Sequence, residues 1–171
     1  MELPKKVDLL TLEEKVLGGT KIPALTFDMS RIKEAEARLW EIQRMVPQTY
    51  KELDYTVQCC FRDSKNAVLQ INGRILTLNS VLNRLKSLHV YEHKAKCIEE
   101  KMPKANITST ILIEAYLETC TEYVEVREEI GKMKLLSDWF ENKTKVMDKA
   151  SSMMKQVMYL YGKAGNFDLT T

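Results

Sequence analysis

The chain has 171 residues, of which 44% are hydrophobic and 29% are charged, and its formal net charge is +2. This length predicts one domain, or one compact part with a long helical arm, and only six glycines and four prolines argue against a turn-rich all-β fold. Because the net charge is nearly neutral, any attraction to nucleic acid or a membrane must come from local segregation of charge.

Residues 1–29 form a predicted N-terminal arm. Residues 11–17 are expected to make a short capped helix that stops at Gly18-Gly19. Residues 21–27 are expected to form an extended linker or a single strand, because Pro23 disfavours a helix. Asp28 or Ser30 then caps a helix that reaches Met45.

A long helix is predicted from about Gln48 to about Glu100. Apolar residues follow alternating steps of three and four, with one polar interruption, which is typical of a heptad seam. The seam residues are Val57, Phe61, Ser64, Val68, Ile71, Ile75, Leu78, Leu82 and Leu85.

A second helical element is predicted after a connector near Pro103. Thr108, Ser109 or Thr110 can cap a short helix that is interrupted at residues 119–121. The helix that follows carries Val126, Met133, Phe140, Met147, Met154 and Tyr161 seven residues apart, and Trp139, Val146, Met153 and Leu160 widen this stripe. An apolar stripe that broad needs more than one neighbouring helix to bury it. Gly162 and Gly165 are expected to close the helix.

These elements predict an all-α protein whose long helices form an antiparallel helical hairpin or coiled-coil bundle. We expect residues 1–29 to be an irregular arm, residues 30–161 a helical bundle domain, and residues 162–171 a tail. A hairpin alone leaves the widened stripes partly exposed, so oligomerisation is expected.

The four cysteines, Cys59, Cys60, Cys97 and Cys120, form no CxxC pair, and the adjacent two cannot bridge each other. The first residues carry no apolar segment of the signal-peptide type, and no apolar stretch is long enough to span a membrane. We therefore expect a reduced, cytoplasmic location.

One short motif resembles a metal site. His89, Glu92 and His93 spell H-x-x-E-H, and Cys97 continues the same helix face. Catalytic zinc would require a further acidic ligand and a walled cleft, and a structural zinc could use His89, His93 and Cys97. The favoured interpretation is that the match to this motif arose by chance. Since no phosphate loop or nucleophile elbow is present either, we expect no enzyme, no cofactor and no metal.

Residues 64–91 contain no carboxylate, although the chain has 24 acidic residues. A surface that meets phosphates has reason to exclude acids, because a nearby carboxylate opposes counterion release. The alternative is a helix buried on several sides, where charge of either sign is costly. The candidate phosphate contacts are Arg62, Lys65, Arg74, Arg84 and Lys86.

An acidic segment lies between Glu114 and Glu129, where six glutamates accompany one arginine. It could dock a basic partner or pair with the cationic helix in the same assembly. The candidate partner-binding residues are Glu122, Glu125, Glu128 and Glu129.

Residues 104 to 161, which begin KANITSTILIEAYLE, combine a capping Thr, a short amphipathic helix, a polar break and a long helix with aromatic, basic and Met/Leu spacing. This order resembles the C-terminal half of the UvsY-type recombination mediators of bacteriophages. The resemblance implies a small helical protein that assembles into rings, binds single-stranded DNA and loads a recombinase onto strands coated by single-strand-binding protein.

The leading hypothesis is therefore a non-enzymatic single-stranded DNA-binding accessory protein of phage recombination or replication. Its expected partners are single-stranded DNA, other copies of itself, and a recombinase and a single-strand-binding protein, with no membrane. The alternative is a structural, scaffold or adaptor protein, such as a virion component, that acts by helical oligomerisation without nucleic acid.

Overall fold

The computed structural model describes residues 8–167. Its strands are β1 (Leu9–Leu12), β2 (Lys15–Leu17), β3 (Thr20–Ile22) and β4 (Leu25–Asp28). Its helices are α1 (Ser30–Arg38), α2 (Pro47–Glu99), α3 (Lys104–Thr108), α4 (Thr110–Thr119) and α5 (Thr121–Phe167), with a 3-10 segment at Leu39–Arg44. The prediction of a mostly helical protein is confirmed.

The helix predicted for residues 11–17 is wrong, because the structure has strands there. β2 and β3 pair antiparallel with Leu17 opposite Thr20, so Gly18 and Gly19 form a two-residue turn. Both glycines have positive φ, 51° and 72°, as the turns that suit a tight hairpin require. Gly18-Gly19 therefore joins two strands instead of ending a helix, and β1 pairs with β4 in a separate two-stranded sheet.

The predicted cap of α1 is wrong: the N-cap residue is Met29, not Asp28 or Ser30, and no side chain makes a capping hydrogen bond there. The Asp28 carboxylate accepts a hydrogen bond of 2.9 Å from the backbone N–H of Ser30. That hydrogen bond lowers the pKa of Asp28, because it stabilises the ionised form. The regular helix ends at Arg38 and not at Met45, and the 3-10 segment continues it to Arg44.

The long helices begin and break near the predicted positions. α2 runs over 53 residues, and the Ser109 hydroxyl caps α4 by accepting from the Leu112 N–H at 3.4 Å. Cys120 is extended, with φ of −85° and ψ of 101°, and separates α4 from α5. The expected helix end at Gly162 and Gly165 is wrong, because α5 continues to Phe167.

The chain divides into two compact units that share α2 and α5. Among the described residues, the first unit contains 8–12, 26–70 and 137–167, and the second contains 13–25 and 71–136. In the first unit Gln58 donates to Ser151 at 2.9 Å, while Gln70 and Phe140 line one cavity, so α2 and α5 run antiparallel there.

The same direction holds inside the second unit. Arg74 of α2 pairs with Glu129 of α5, and Lys86 lines a cavity with Tyr123 and Arg127. Higher residue numbers on α2 therefore meet lower numbers on α5.

The buried stripe of α5 coincides with the predicted one from Val126 to Met154, whose five members are at most 5% exposed. On α2 every second buried position lies one residue before the predicted one. Phe61, Val68, Ile75 and Leu82 are only half-buried. The buried positions that form the stripe are Leu53, Val57, Cys60, Ser64, Ala67, Ile71, Arg74, Leu78, Val81 and Leu85, and Cys59 and Cys97 of α2 are buried as well. A charged residue, Arg74, thus occupies a core position.

None of the helices between residues 8 and 167 combines the length and the apolar character that crossing a bilayer requires.

Candidate nucleic-acid interface

Arg74 lies in the core of the second unit and not on its surface. Its side chain is 2% exposed, and its Nη2 lies 3.2 Å from Oε1 of Glu129, whose side chain is 5% exposed. Its Nη1 donates to the carbonyl oxygen of Pro23 at 2.8 Å, and Nη2 also donates to that of Glu13 at 3.2 Å. The guanidinium therefore joins α2 to α5 and to both ends of the β2–β3 hairpin.

Glu129 receives a second cation in the same place. Lys15 Nζ at the start of β2 donates to Oε2 of Glu129 at 2.6 Å. Burial raises the pKa of Glu129, but the hydrogen bond from Lys15 and the charges of Lys15 and Arg74 outweigh it, so its pKa is lowered overall. Glu129 is thus an ionised internal partner, and it is not available to dock another protein.

Arg84 also contacts the hairpin. Its Nη2 donates to Oγ1 of Thr20 at 3.0 Å and to the carbonyl oxygen of Gly18. The residue as a whole is exposed. Arg84 can therefore present part of its guanidinium to solvent while it holds the turn of the hairpin.

Lys86 is exposed in acidic surroundings. It lines a cavity of about 190 Å³ together with Glu114, Glu118 and Arg127. Arg127 pairs with Glu118, and this lowers the pKa of Glu118 through the hydrogen bond and the arginine charge. Because Arg127 offsets the charge of Glu118, a phosphate at Lys86 would chiefly meet the field of Glu114, so Lys86 is the weaker candidate.

Arg62 and Lys65 remain accessible in the first unit. The Arg62 side chain is 65% exposed and lies 3.7 Å from Asp63, which Arg31 neutralises at 3.0 Å. Lys65 is exposed, and its Nζ lies 5.3 Å from the centroid of the Phe61 ring. These two residues are the best placed of the five predicted phosphate contacts.

Tyr55 and Trp40 are exposed aromatic residues of the first unit that had not been selected from the sequence. Tyr55 is 70% exposed and lies seven residues before Arg62, so both share one face of α2. Trp40 is 63% exposed, with the Arg44 guanidinium 6.0 Å from its ring centroid. The seven-residue spacing of Tyr55 and Arg62 was the sequence signal that could have identified the first of them.

The carboxylate-free run is accessible over most of its length. Among residues 64–91 the exposed positions include Lys65, Asn66, Leu69, Gln70, Asn72, Leu76, Thr77, Ser80, Asn83, Arg84, Lys86, Ser87, Leu88 and Tyr91. Burial on several sides within one chain is therefore not the reason why acids are absent. In the first unit, Asn66 and Gln70 also line a cavity of about 310 Å³ that Asp28, Arg31 and Asp63 share.

The other predicted acidic residues are on the surface. Glu122, Glu125 and Glu128 are exposed, in contrast to buried Glu129. In the H-x-x-E-H motif, Nδ1 of His89 lies 2.8 Å from the Glu92 carboxylate. Across the part of the chain that the structure describes, no group of three His, Cys, Asp or Glu residues is arranged to hold a metal ion.

No protein-family model, no curated protein and no solved structure matches this chain.

Proposed function

We propose that this chain is a non-enzymatic, single-stranded DNA-binding accessory protein of recombination or replication. The observation that carries the proposal is the accessible run of α2 between residues 64 and 91, which itself contains no carboxylate. The resemblance of residues 104 to 161 to phage recombination mediators supports the same class, and a recombinase and a single-strand-binding protein are the partners it implies.

The contacts divide into phosphate neutralisation and base stacking. In the first unit Arg62 and Lys65 neutralise phosphates, and Tyr55 on the same helix face offers its ring to a base. In the second unit the exposed part of Arg84 adds a phosphate contact. Arg74 has no part in binding, because its guanidinium is buried against Glu129.

Fluorescence anisotropy of a labelled single-stranded oligonucleotide at several salt concentrations tests the proposal. The double variant Arg62→Gln/Lys65→Gln should bind more weakly, and its logarithmic salt slope should fall by about 0.7 per lost contact. The matched control is Lys132→Gln/Lys134→Gln, which removes the same charge from two exposed positions on α5. Equal weakening by both double variants would show a general charge effect and would refute the assigned face.

Tyr55 provides a separate test of single-strand binding. Tyr55→Leu should cost about 1–3 kcal/mol of affinity, the range seen when a stacked ring is lost, whereas Tyr55→Phe should bind like the parent. The parent should also prefer a single strand to a duplex of the same sequence. Absence of binding at low salt would exclude the nucleic-acid function altogether.

A second candidate function rests on a different surface. Trp139, Val146, Met153 and Leu160 lie seven residues apart on α5 in the first unit and are 37%, 41%, 47% and 64% exposed. Each lies one residue before a heptad position, three of which, Phe140, Met147 and Met154, are buried. We propose that this stripe packs against the same stripe of a second copy, because an identical helix supplies the matching seven-residue period.

Analytical ultracentrifugation tests this scaffold function. Met153→Lys should shift the protein to a smaller species with unchanged helicity, since a charge in an apolar seam opposes association. The control is Ile111→Lys, at a residue of α4 that is 78% exposed. If the parent is monomeric, or if both variants dissociate equally, the α5 stripe is not the assembly surface.

A further inference from the structure

The C-terminus of α2 has a cap that places a methionine beside a cysteine. Lys101 has φ of 53°, its N–H donates to the Ile98 carbonyl at 3.1 Å, and the Met102 N–H donates to the Cys97 carbonyl at 2.9 Å. This pair of bonds defines a Schellman motif, in which the residue after the left-handed position commonly contacts the residue five earlier. The cap thus brings the Met102 backbone to Cys97.

His93 lies one turn before Cys97 on the same face of α2. Its Nε2 is 3.6 Å from the Sγ of Cys97. The His93 ring packs against Tyr116 of α4, with centroids 5.0 Å apart and planes inclined by 34°, which restrains its orientation. Metal bonds of about 2.3 Å to sulfur and about 2.0 Å to imidazole nitrogen would separate the two donor atoms by roughly 3.5–3.8 Å.

The three side chains line one cavity inside the second unit. Its volume is about 320 Å³, and His93, Cys97 and Met102 are among its lining residues. Cys97 is only 3% exposed, but Met102 is 39% exposed, so the cavity reaches the surface. Exposed Lys96 and Glu100 also line it and lie 4.0 Å apart, so their opposite charges offset each other.

We propose that this cavity binds a soft monovalent metal ion, Cu(I), through the Cys97 thiolate, the His93 imidazole and the Met102 thioether. Thiolate and thioether donors select Cu(I), whereas zinc sites in proteins use nitrogen, thiolate and carboxylate donors. The carbonyl end of α2 adds a partial negative charge that favours a cation. On binding, the S–H bond of Cys97 breaks, the sulfur keeps the electron pair and binds the metal, and the proton passes to solvent.

Anaerobic titration with Cu(I) against a chromogenic Cu(I) chelator tests the site on the full chain. The parent should withdraw one equivalent from the chelator, and X-ray absorption should show one nitrogen and two sulfur neighbours. Cys97→Ser and His93→Gln should each lower the affinity by more than the roughly 10–100-fold that loss of an outer-shell partner costs. Met102→Leu should lower it by about tenfold, because the thioether is the weakest of the three donors.

Matched controls separate this site from general thiol chemistry. Cys120→Ser removes a more accessible thiol, and Met153→Leu removes an exposed thioether outside the cavity, so both should bind like the parent. Cys60 is fully buried, and burial raises its pKa to about 11, which disfavours its metal-binding thiolate. Unchanged affinity in Met102→Leu, equal loss in Cys120→Ser, or displacement of Cu(I) by equimolar Zn²⁺ would overturn the proposal.

Discussion

Arg74 and Glu129 form a buried ion pair, with 3.2 Å between Nη2 and Oε1, although they lie 55 residues apart in the chain. The sequence alone predicted an external partner for each residue: a phosphate for Arg74 and a basic protein for Glu129. In the structure they neutralise each other. The pair gives residues 13–25 a fixed position, since Lys15 also contacts Glu129 and the backbone carbonyls of Glu13 and Pro23 accept from Arg74.

Arg74→Met should destabilise the protein by about 3–5 kcal/mol, because it leaves the Glu129 carboxylate buried with Lys15 as its remaining partner. The double variant Arg74→Met/Glu129→Leu should recover most of this loss, since well-packed apolar residues often replace a buried pair at little cost. Urea denaturation of the parent, both single variants and the double variant gives the coupling energy. Additive effects would show that the two side chains act independently.

Acid should destabilise the second unit through Glu129. The pKa of Glu129 is lower in the folded chain than its ordinary value near 4.5, so the unfolded state binds its proton first as the pH falls. The stabilisation from this group is therefore complete above about pH 5 and is lost as the pH falls through and below 4.5. When the pH is lowered from neutral to acidic, the melting temperature should fall less for Glu129→Gln than for the parent.

Gly18 and Gly19 allow a test of how closely the hairpin approaches α2. Both have positive φ, but an added Cβ at Gly18 would lie 2.9 Å from Val81 Cγ1, whereas Gly19 has open space around it. Gly19→Ala should cost about 1–2 kcal/mol for the left-handed backbone. Gly18→Ala should cost a further 1–3 kcal/mol or so from overpacking against Val81 and Leu85. Equal unfolding free energies for the two variants would contradict this close approach.

Lys101→Gly should stabilise the protein by about 0.5–1 kcal/mol. Lys101 has φ of 53°, a conformation in which its Cβ is strained, and glycine adopts it without that strain. Lys101→Ala is the matched control, because it removes the same charge but keeps a Cβ, and it should give no gain. If alanine stabilises as much as glycine, the gain comes from the charge and not from the backbone.

The long helices and their breaks could be predicted from the sequence because the signals are local. Ser109 caps α4 through the N–H of Leu112, three residues away, and the seven-residue repeat from Val126 to Met154 marks the buried face of α5. Such signals depend on helical geometry over a few turns, and no distant partner is needed to interpret them.

The pairing of the N-terminal residues could not be found in the same way. Strands β2 and β3 are three residues each, too short for a strong alternation, and only Gly18-Gly19 marked the turn between them. The exposed Tyr55, two turns before Arg62 on the same face of α2, was missed because the sequence alone did not show which side of α2 faces α5.

The sequence by itself thus determined where the helices run and that α5 has an apolar face too wide for one neighbour. Only the tertiary structure decided that the alternate positions of the α2 stripe are Cys60, Ala67, Arg74 and Val81, and that the hairpin and Glu129 cover Arg74. The physical reason is that a charged side chain can enter a core when partners far away in the chain neutralise it and accept its hydrogen bonds. Those partners, Glu129 and the carbonyls of Glu13 and Pro23, are brought together by folding and leave no mark in the local pattern around Arg74.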